Sequence, residues 1–518
     1  MDTERGRQVG VKVSGAHFAD APGRQVLLHG INVVNKDPAA GFVFDQDPQL
    51  YIKLRAWGLN VVRLGVIWEG LEPEPGVFDE DYLRRLDRQI AWASEAGLWV
   101  FLDMHQDLYS SLYSDGAPAW ATLTGGAPHV DLGGVWSDAY FTSPAVQAAL
   151  DSFWANAPAP DGVGVQDHYA RAWAYLAQRY RADPAVIGYD LMNEPFPGSA
   201  AVSAQGLMFA KGAELLSGLE NARGAGEPGP AGVRAQAEAL AEKWLSTEGR
   251  SELLAALRDV AIYRQVVDAT EPLYAAFDRT QLKAMYHRVA AAIREVDPAT
   301  NSRALFLETT MGSNMGVYSA IEPVVLEGTR DPAQVYAPHG YDLVVDTPDI
   351  AAASPERVAL IFERHAETGQ RLGLPMLVGE WGAYGRNPGT LPAAWHVVHQ
   401  FETALCSETY WAYEPGIEAF PCFPAIQRPY PERVAGTLVS YHYDPGRRTF
   451  TVTWDEDGRV TAPTCIYLPG WLVARGMTVD PPAVAISVER VAPSEDGSRF
   501  LEIAPTGTAG RRTVTIAA

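Results

Sequence analysis

Short apolar runs of strand-forming residues alternate with helical patterns through most of the chain. Eight such runs occur, and segments between them repeat apolar residues at helical spacing, as Leu83, Leu86 and Ile90 do. This alternation predicts a parallel sheet wrapped by helices, and eight strands favour a closed (β/α)8 barrel over an open sheet. The predicted strands cover residues 26–32, 60–64, 98–105, 186–192, 304–308, 335–339, 376–380 and 409–413.

Beyond Pro431 the pattern changes to runs that alternate at period two, with turn residues between them. A chain of 518 residues with 47% hydrophobic content can bury one large core and a smaller second one. We therefore expect an α/β protein in which a (β/α)8 barrel domain is followed by an antiparallel β-sandwich. The predicted ranges are 1–431 for the barrel, with insertions at about 106–165 and 198–278, and 432–518 for the sandwich, whose clearest strands are 438–443, 449–454 and 512–516.

Charge and composition exclude several classes of function. The net charge of −22, without a long run of Lys or Arg, argues against nucleic-acid binding. No segment has the apolar length needed to span a bilayer. Residues 1–7 lack the apolar core of a secretory signal. The three cysteines show neither metal-ligand spacing nor a disulfide framework, and the sequence leaves a bridge between Cys406 and Cys422 open.

Polar and ionisable residues recur where the predicted strands end. Asn193 and Glu194 close the fourth strand, and Pro195 prevents a regular continuation. The carboxyl ends of barrel strands meet at one edge, where catalytic groups collect. Two glutamates facing one cleft from distant strands suit a retaining glycosidase, whose carboxyl groups stand about 5–5.5 Å apart. The residues at this edge are Arg63, Asp103, His105, Asn193, Glu194, His339, Tyr341, Glu380 and Trp411.

This set of residues resembles the signature of the glycoside hydrolase family 5 barrels. Within that family, several stretches resemble the endoglycoceramidases, and the likeness covers most of the chain. These stretches are Asp-Met-His-Gln-Asp at 103–107, Gly-Ala-Pro-Ala-Trp-Ala-Thr at 116–122, Leu-Met-Asn-Glu-Pro-Phe-Pro-Gly at 191–198 and Ala-Gly-Thr at 435–437. The insertion at about 198–278 matches least well.

The resemblance implies that Glu194 is the acid/base and Glu380 the nucleophile. The implied reaction cleaves the β-glycosidic bond between glycan and ceramide in glycosphingolipids. The nucleophile must stay ionised, and Arg63 and Tyr341 are candidate donors to it. No cofactor is implied, and no catalytic metal is expected because no tight ligand motif occurs. The expected substrate contacts are Lys36, Arg63, Asp103, His105, Asn193, His339, Tyr341 and Trp411.

Other functions remain open at this point. They are an exo-acting β-glucosidase on glucosylceramide or a steryl glucoside, an endo-glucanase, and a catalytically inactive glycolipid-binding protein. The expected partner is a glycolipid, with transient contact to a membrane or micelle surface, and the chain is expected to be a monomer. By family resemblance we expect a secreted or extracellular protein.

A ceramide leaving group requires an apolar surface beside the two glutamates, because burial of its hydrocarbon chains gains about 25 cal/mol per Å². The insertion at 106–165 follows the third strand and is rich in aromatic residues. The alternative is that these residues form a satellite core under a long loop. The candidates are Tyr113, Trp120, Trp136, Phe141, Phe153 and Trp154, with Phe196, Met208 and Phe209 across from them.

Overall fold

The computed structural model describes residues 10–44, 47–222, 229–298, 303–473, 478–480, 486–490 and 497–517. The first seven residues, from which the absence of a secretory signal was predicted, lie outside this part. The described strands are β1 (Val11–Ser14), β2 (His17–Asp20), β3 (Gln25–Val26), β4 (His29–Val33), β5 (Val61–Ile67), β6 (Trp99–His105), β7 (Val186–Asp190), β8 (Ala304–Leu307), β9 (Val325–Leu326), β10 (Thr329–Arg330), β11 (Gln334–Tyr336), β12 (His339–Gly340), β13 (Leu377–Gly382), β14 (Ser407–Trp411), β15 (Tyr430–Val434), β16 (Gly436–Asp444), β17 (Thr449–Glu456), β18 (Thr464–Leu468), β19 (Thr478–Asp480), β20 (Ile486–Arg490), β21 (Arg499–Ile503) and β22 (Gly510–Ala517).

Helices fill most of the connections between the barrel strands. Two of them have an aspartate N-cap: the Asp47 carboxylate accepts from Gln49 N–H, and the Asp79 carboxylate accepts from the N–H groups of Asp81 and Tyr82. The described α-helices are α1 (Pro48–Ala56), α2 (Trp68–Leu71), α3 (Glu80–Glu95), α4 (Ala139–Thr142), α5 (Pro144–Trp154), α6 (Val165–Tyr180), α7 (Ala200–Ala222), α8 (Pro230–Trp244), α9 (Thr247–Ala256), α10 (Val260–Asp268), α11 (Glu271–Phe277), α12 (Lys283–Val296), α13 (Met311–Asn314), α14 (Pro355–Leu372), α15 (Leu391–Ala404), α16 (Phe423–Ile426) and α17 (Gly470–Val473).

The central sheet is a parallel barrel with the strand order β11-β8-β7-β6-β5-β4-β14-β13-β12. The sixth predicted strand is divided into β11 and β12, because Pro338 between them has no N–H to donate to the ladder. Tyr336 N donates to Pro375 O at 3.0 Å, which joins β11 to the chain just before β13 and closes the ring. The predicted (β/α)8 barrel is confirmed.

The first predicted strand belongs to two sheets. Residues 25–26 form β3, which pairs with β15 of the terminal unit, whereas β4 begins only at His29 and pairs with β5 and β14 of the barrel. The chain crosses from one sheet to the other at Leu27 and Leu28. A single apolar run could not reveal this break, because both halves are buried and have the same strand-forming character.

The terminal unit consists of two antiparallel sheets, in the orders β1-β2-β3-β15-β18-β21-β20 and β16-β17-β22-β19. The three clearest predicted strands correspond to β16, β17 and β22. Trp454, Ile466 and Leu501 lie in the buried cluster of this unit. β15 crosses the predicted boundary at residue 431, and β1–β3 extend the same sheet from the amino-terminal side. The division of the chain into two domains at that residue stays a prediction.

The two insertions differ in structure. Residues 106–165 form loops with the short helices α4 and α5, whereas the described residues of the second insertion lie mostly in the helices α7–α11. In the described part of the chain, none of the helices has both the length and the apolar character that crossing a membrane requires. Cys406, Cys422 and Cys465 are buried free thiols, so Cys406 and Cys422 are not bridged.

Candidate active site

A fully buried arginine forms the centre of the site. Arg63 extends from β5 and contacts Asp190 at 2.8 Å, Glu308 at 2.6 Å and Glu380 at 2.7 Å. Asp103 lies 2.9 Å from the same guanidinium group. Burial alone lowers the pKa of Arg63, but these carboxylates outweigh it and raise the pKa well above the ordinary value. Four strand ends are thereby tied to one cation.

Glu380 lies at this edge on β13 and is held by two donors. Arg63 Nη1 donates to Oε1 at 2.7 Å, and the Tyr341 hydroxyl donates to Oε2 at 2.9 Å. Burial raises the pKa of Glu380 to about 7; the charges of His339 and Arg63 oppose this rise, and the charge of Glu194 adds to it. The carboxylate therefore changes its protonation state close to neutral pH.

Glu194 follows β7 in a left-handed backbone conformation, with φ of 41°. Its backbone N–H donates to Glu308 Oε2 at 2.8 Å, a bond that fixes this strained residue. Its Oε1 accepts from Asn314 Nδ2 at 3.0 Å and is 2.9 Å from His339 Nδ1. One oxygen each of Glu194 and Glu380 and a nitrogen of His339 lie within 4.8 Å of one another. This spacing of the two carboxylates fits a retaining glycosidase.

Two protein-family models match the sequence of this chain. Residues 19–217 and 258–416 match the model of the cellulase family, described as glycosyl hydrolase family 5. Residues 428–516 match the model of the family 5 C-terminal domain. The chain belongs to glycosyl hydrolase family 5.

The similar proteins include endoglycoceramidases and a glucosylceramidase. Endoglycoceramidase I of Rhodococcus hoagii is 35% identical over 198 residues, which are 37% of this chain and 38% of that protein. The glucosylceramidase of Aspergillus fumigatus is 29% identical over 37% of this chain and 33% of its own length. Among solved structures, endo-glycoceramidase II from Rhodococcus sp. has a TM-score of 0.71 at 26% identity, covering 96% of this chain and 98% of that one. The matched segments therefore span less than half the length of these two curated relatives, whereas the structural match is nearly complete.

The structure brings all ten predicted site residues of this family 5 chain to one edge of the barrel, in two layers. Arg63, Asp103 and His339 are fully buried and lie behind the glutamates, away from the cleft surface. None of these three residues lines the cavity, and their assignment as substrate contacts stays a prediction. The predicted residues that do line the cleft are Lys36, His105, Asn193, Glu194, Tyr341, Glu380 and Trp411.

Trp411 lines the cleft and contacts two cationic side chains. Its ring stacks on His105 at a centroid distance of 5.0 Å and an interplanar angle of 14°. Lys36 Nζ lies 4.7 Å from the Trp411 ring centroid and forms an ion pair with Asp107. Burial lowers the pKa of His105, but Asp103 outweighs it and the pKa is raised to about 10. A flat indole face with charged neighbours suits a sugar ring and its hydroxyl groups.

Sequence analysis missed two residues that contact Glu194. Glu308 ends β8, so the strand-end rule that found the other residues applies to it equally. It contacts Arg63, the Glu194 backbone and His339 Nε2, the last at 3.2 Å. Asn314 is at the end of α13, and no motif in the sequence marks it. We use the name cleft floor for five residues at this edge: Arg63, Glu194, Glu308, His339 and Glu380.

A cavity of about 400 Å³ opens beside the two glutamates. Helices α7–α10 of the second insertion supply most of its apolar lining, which we call the apolar wall. Trp136 and Phe141 of the first insertion also line the cavity. The residues of the apolar wall are Met208, Phe209, Leu215, Trp244, Leu253, Leu257 and Ile262.

Only some of the candidates for an apolar surface beside the two glutamates reach this cavity. Phe153, Trp154 and Phe196 are buried in the barrel core, as the satellite-core alternative holds. Trp120 packs against Trp68 and donates to Glu72 O at 3.0 Å, and Tyr113 stacks on His129. Of the candidates, Trp136, Phe141, Met208 and Phe209 line the cavity.

Proposed function

We propose that this chain is a retaining endoglycoceramidase, which hydrolyses the β-glycosidic bond between a glycan and ceramide. The observation that carries the proposal is the apolar cavity that begins at Glu194 and Glu380. A glucan has no apolar aglycone to fill such a surface, whereas a ceramide has two hydrocarbon chains. Burial of those chains against the apolar wall contributes about 25 cal/mol per Å² of apolar area.

In the proposed first step, Glu380 attacks the anomeric carbon and Glu194 gives its proton to the glycosidic oxygen. The bond to ceramide breaks, ceramide leaves as the alcohol, and the glycan is esterified to Glu380. In the second step Glu194, now ionised, removes a proton from water, and the resulting hydroxide attacks the same carbon. The ester bond breaks, which releases the glycan with retained configuration and restores both glutamates.

The residues on the cleft surface are assigned to the sugar. Two hydrogen bonds hold the Asn193 amide. Arg63 Nη2 donates to its Oδ1 at 3.0 Å, and its Nδ2 donates to Gln106 O at 3.0 Å. We assign it to the 2-hydroxyl group, a contact that strengthens in the transition state. Trp411 is assigned to the sugar face, and His105 and Lys36 to hydroxyl groups beside it.

The residues behind the glutamates are assigned to positioning. Arg63 favours the ionised form of Glu380, and His339 lies between the two carboxylates, 2.9 Å from Glu194 Oε1 and 3.4 Å from Glu380 Oε2. Asp103 accepts from His105 Nδ1 at 2.7 Å when the ring is protonated there. These contacts hold the reacting groups before substrate enters, which lowers the reorganisation needed in the transition state.

Product analysis tests the proposal. Lactosylceramide, longer neutral glycosphingolipids and glucosylceramide are incubated with the protein in detergent micelles, and the released sugars are separated. We expect intact oligosaccharides together with ceramide. Release of single hexoses from the non-reducing end would contradict endo action, and absence of turnover on these lipids and on an aryl β-lactoside would contradict the enzyme assignment altogether.

An exo-acting β-glucosidase is the second candidate, because a glucosylceramidase is among the similar proteins. The same experiment separates the two functions. An exo enzyme hydrolyses glucosylceramide but leaves lactosylceramide intact, since the outer galactose blocks its cleft. The proposed enzyme hydrolyses lactosylceramide to lactose.

Contact with a membrane or micelle is part of the proposed function. Leu207 and Leu216 of α7 and Leu245, which follows α8, are 42%, 41% and 51% exposed. Leu216 also lines the cavity. We propose that exposed leucines of the second insertion contact the lipid surface while one glycolipid enters the cleft. Sedimentation with neutral phosphatidylcholine vesicles tests it: a Leu207→Ser/Leu245→Ser variant should bind less than the wild type, and equal binding would contradict it.

We further propose that the protein acts as a monomer outside the cell that makes it, by analogy with the family resemblance. Light scattering after gel filtration measures the oligomeric state. The distribution of activity between culture medium and cells of the source organism measures the location.

A further inference from the structure

Two histidines and one buried glutamate converge where the barrel meets the terminal unit. Glu402 is at the carboxyl end of α15, and its side chain is only 4% exposed. His399 lies one helical turn before it, and His442 comes from β16 of the terminal unit. The two imidazoles are 61% and 55% exposed, so they form the outer face of the cluster.

One potential ligand atom of each of the three side chains lies close to those of the other two. His399 Nδ1 lies 3.4 Å and His442 Nδ1 2.6 Å from the same oxygen, Glu402 Oε2. All three donor atoms lie within 4.8 Å of one another. Ligands bound tetrahedrally to zinc at about 2.0–2.1 Å lie about 3.3 Å apart. The 3.4 Å contact of His399 matches this distance, and the 2.6 Å contact of His442 is shorter.

Hydrogen bonding explains only half of this arrangement. Glu402 Oε2 accepts a hydrogen bond from His442 Nδ1 when the ring is protonated there, but His399 Nδ1 at 3.4 Å adds no well-formed bond. A divalent cation would satisfy both imidazoles and the carboxylate together. It would replace the short contact to His442, whose exposed side chain is free to move by the small distance required.

The carboxylate is also oriented for this role. Glu402 Oε1 accepts from the Tyr443 backbone N–H at 2.9 Å, which leaves Oε2 directed at the imidazoles. Such a fixed outer contact is characteristic of metal ligands. We propose that His399, Glu402 and His442 form a zinc site with one open position for water, which joins α15 of the barrel to β16 of the terminal unit.

The proposed site is structural and separate from the glycosidase chemistry. Barrel helices run antiparallel to the strands, so the carboxyl end of α15 lies toward the edge opposite the catalytic one. Zinc bound there links the two units and stabilises only the folded chain. It should therefore raise the melting temperature and leave hydrolysis of an aryl β-lactoside unchanged.

The test uses the untagged full chain after removal of metals with a chelator. Calorimetric titration with Zn²⁺, and the visible spectrum with Co²⁺ in its place, are measured for the wild type, His399→Gln and His442→Gln. His396→Gln is the matched control, because His396 is exposed on the same helix one turn away. Both tested histidines are exposed, so these variants should fold, and unchanged lactoside hydrolysis verifies this.

We expect one zinc ion per chain, a tetrahedral Co²⁺ spectrum and a higher melting temperature with zinc for the wild type and His396→Gln. Loss of an outer contact to a ligand already costs roughly 10-fold in affinity, so loss of a ligand should cost at least that much. The proposal is wrong if the wild type takes up no zinc. It is also wrong if His399→Gln and His442→Gln bind zinc as tightly as the control, since the ion then lies elsewhere.

Discussion

The cleft floor and the apolar wall meet at the same cavity but hold their side chains in different ways. On the floor, Arg63 donates directional hydrogen bonds to Glu308 at 2.6 Å and to Glu380 at 2.7 Å. On the wall, half-buried apolar side chains of α7–α10 line the cavity. They offer apolar area to a substrate but no directional hydrogen bond. Directional contacts set the position of reacting atoms, whereas apolar contact gains free energy in proportion to area. Substitutions on the floor should therefore stop chemistry, and substitutions on the wall should weaken binding.

The largest effect is expected on the floor, from Glu380→Ser. The serine hydroxyl cannot form the glycosyl-enzyme, so hydrolysis of all substrates should fall by on the order of 10⁴-fold or more. The melting temperature should stay near that of the wild type, because a buried carboxylate with a pKa raised to about 7 is not a stabilising ion at neutral pH. Retained hydrolysis would remove Glu380 from the nucleophile role.

Glu194→Gln should separate substrates by their leaving group. Ceramide needs a proton as it departs, so its release should slow by about 10²–10⁴-fold. Formation of the glycosyl-enzyme from a dinitrophenyl lactoside, which needs no proton, should change far less. Burst kinetics with the two substrates measure the difference, and equal losses in both would contradict Glu194 as the acid.

The apolar wall should respond more weakly and only to lipid substrates. Phe209→Asn or Leu253→Asn removes part of the surface for ceramide, and we expect the KM for lactosylceramide to rise by roughly 5- to 30-fold, the equivalent of about 1–2 kcal/mol. The KM for an aryl β-lactoside should not change. Val325→Asn is the control, because Val325 is 40% exposed on the β9–β10 hairpin and does not line the cavity. Equal losses for both substrates would show that the apolar wall affects cleavage itself and does not act through lipid binding.

A smaller effect is expected from the charge of Glu194 on the pKa of Glu380. It contributes to the raised pKa of Glu380, so its removal in Glu194→Gln should lower that pKa. Glu380 reacts as the carboxylate, which accumulates as the pH rises through its pKa. The acid limb of kcat/KM for the dinitrophenyl lactoside should therefore move to lower pH in the variant. A shift to higher pH would show that the two carboxylates do not interact as the geometry indicates.

The terminal unit should show the smallest effect on turnover. Trp454 is fully buried in its core, and Trp454→Leu leaves a cavity that costs about 2–4 kcal/mol of stability. The turnover of the folded fraction should be unchanged, because no side chain of this unit lines the cleft among the described residues. A loss of kcat at normal stability would contradict the separation of this unit from catalysis.

Much of the site could be predicted because strand ends leave a local signal. A polar residue that follows an apolar run is visible in the sequence, and the barrel brings every such residue to one edge. Glu194, Glu380, Asn193 and Tyr341 were found in this way. Glu308 follows the same rule and was overlooked, whereas Asn314 ends the short helix α13 and carries no comparable signal.

The sequence alone determined the barrel, the edge of the catalytic residues and the second antiparallel unit, since each depends on periodicity and local strand ends. The tertiary structure decided which polar residues face the cleft and which lie behind it, as Arg63 and His339 do. It also decided that α7–α10 supply most of the apolar wall and that Phe153 and Trp154 belong to the core. The physical reason is that an apolar side chain has the same pattern in sequence whether its partner is the core or a ligand. Only the packing of distant segments determines which of the two it contacts.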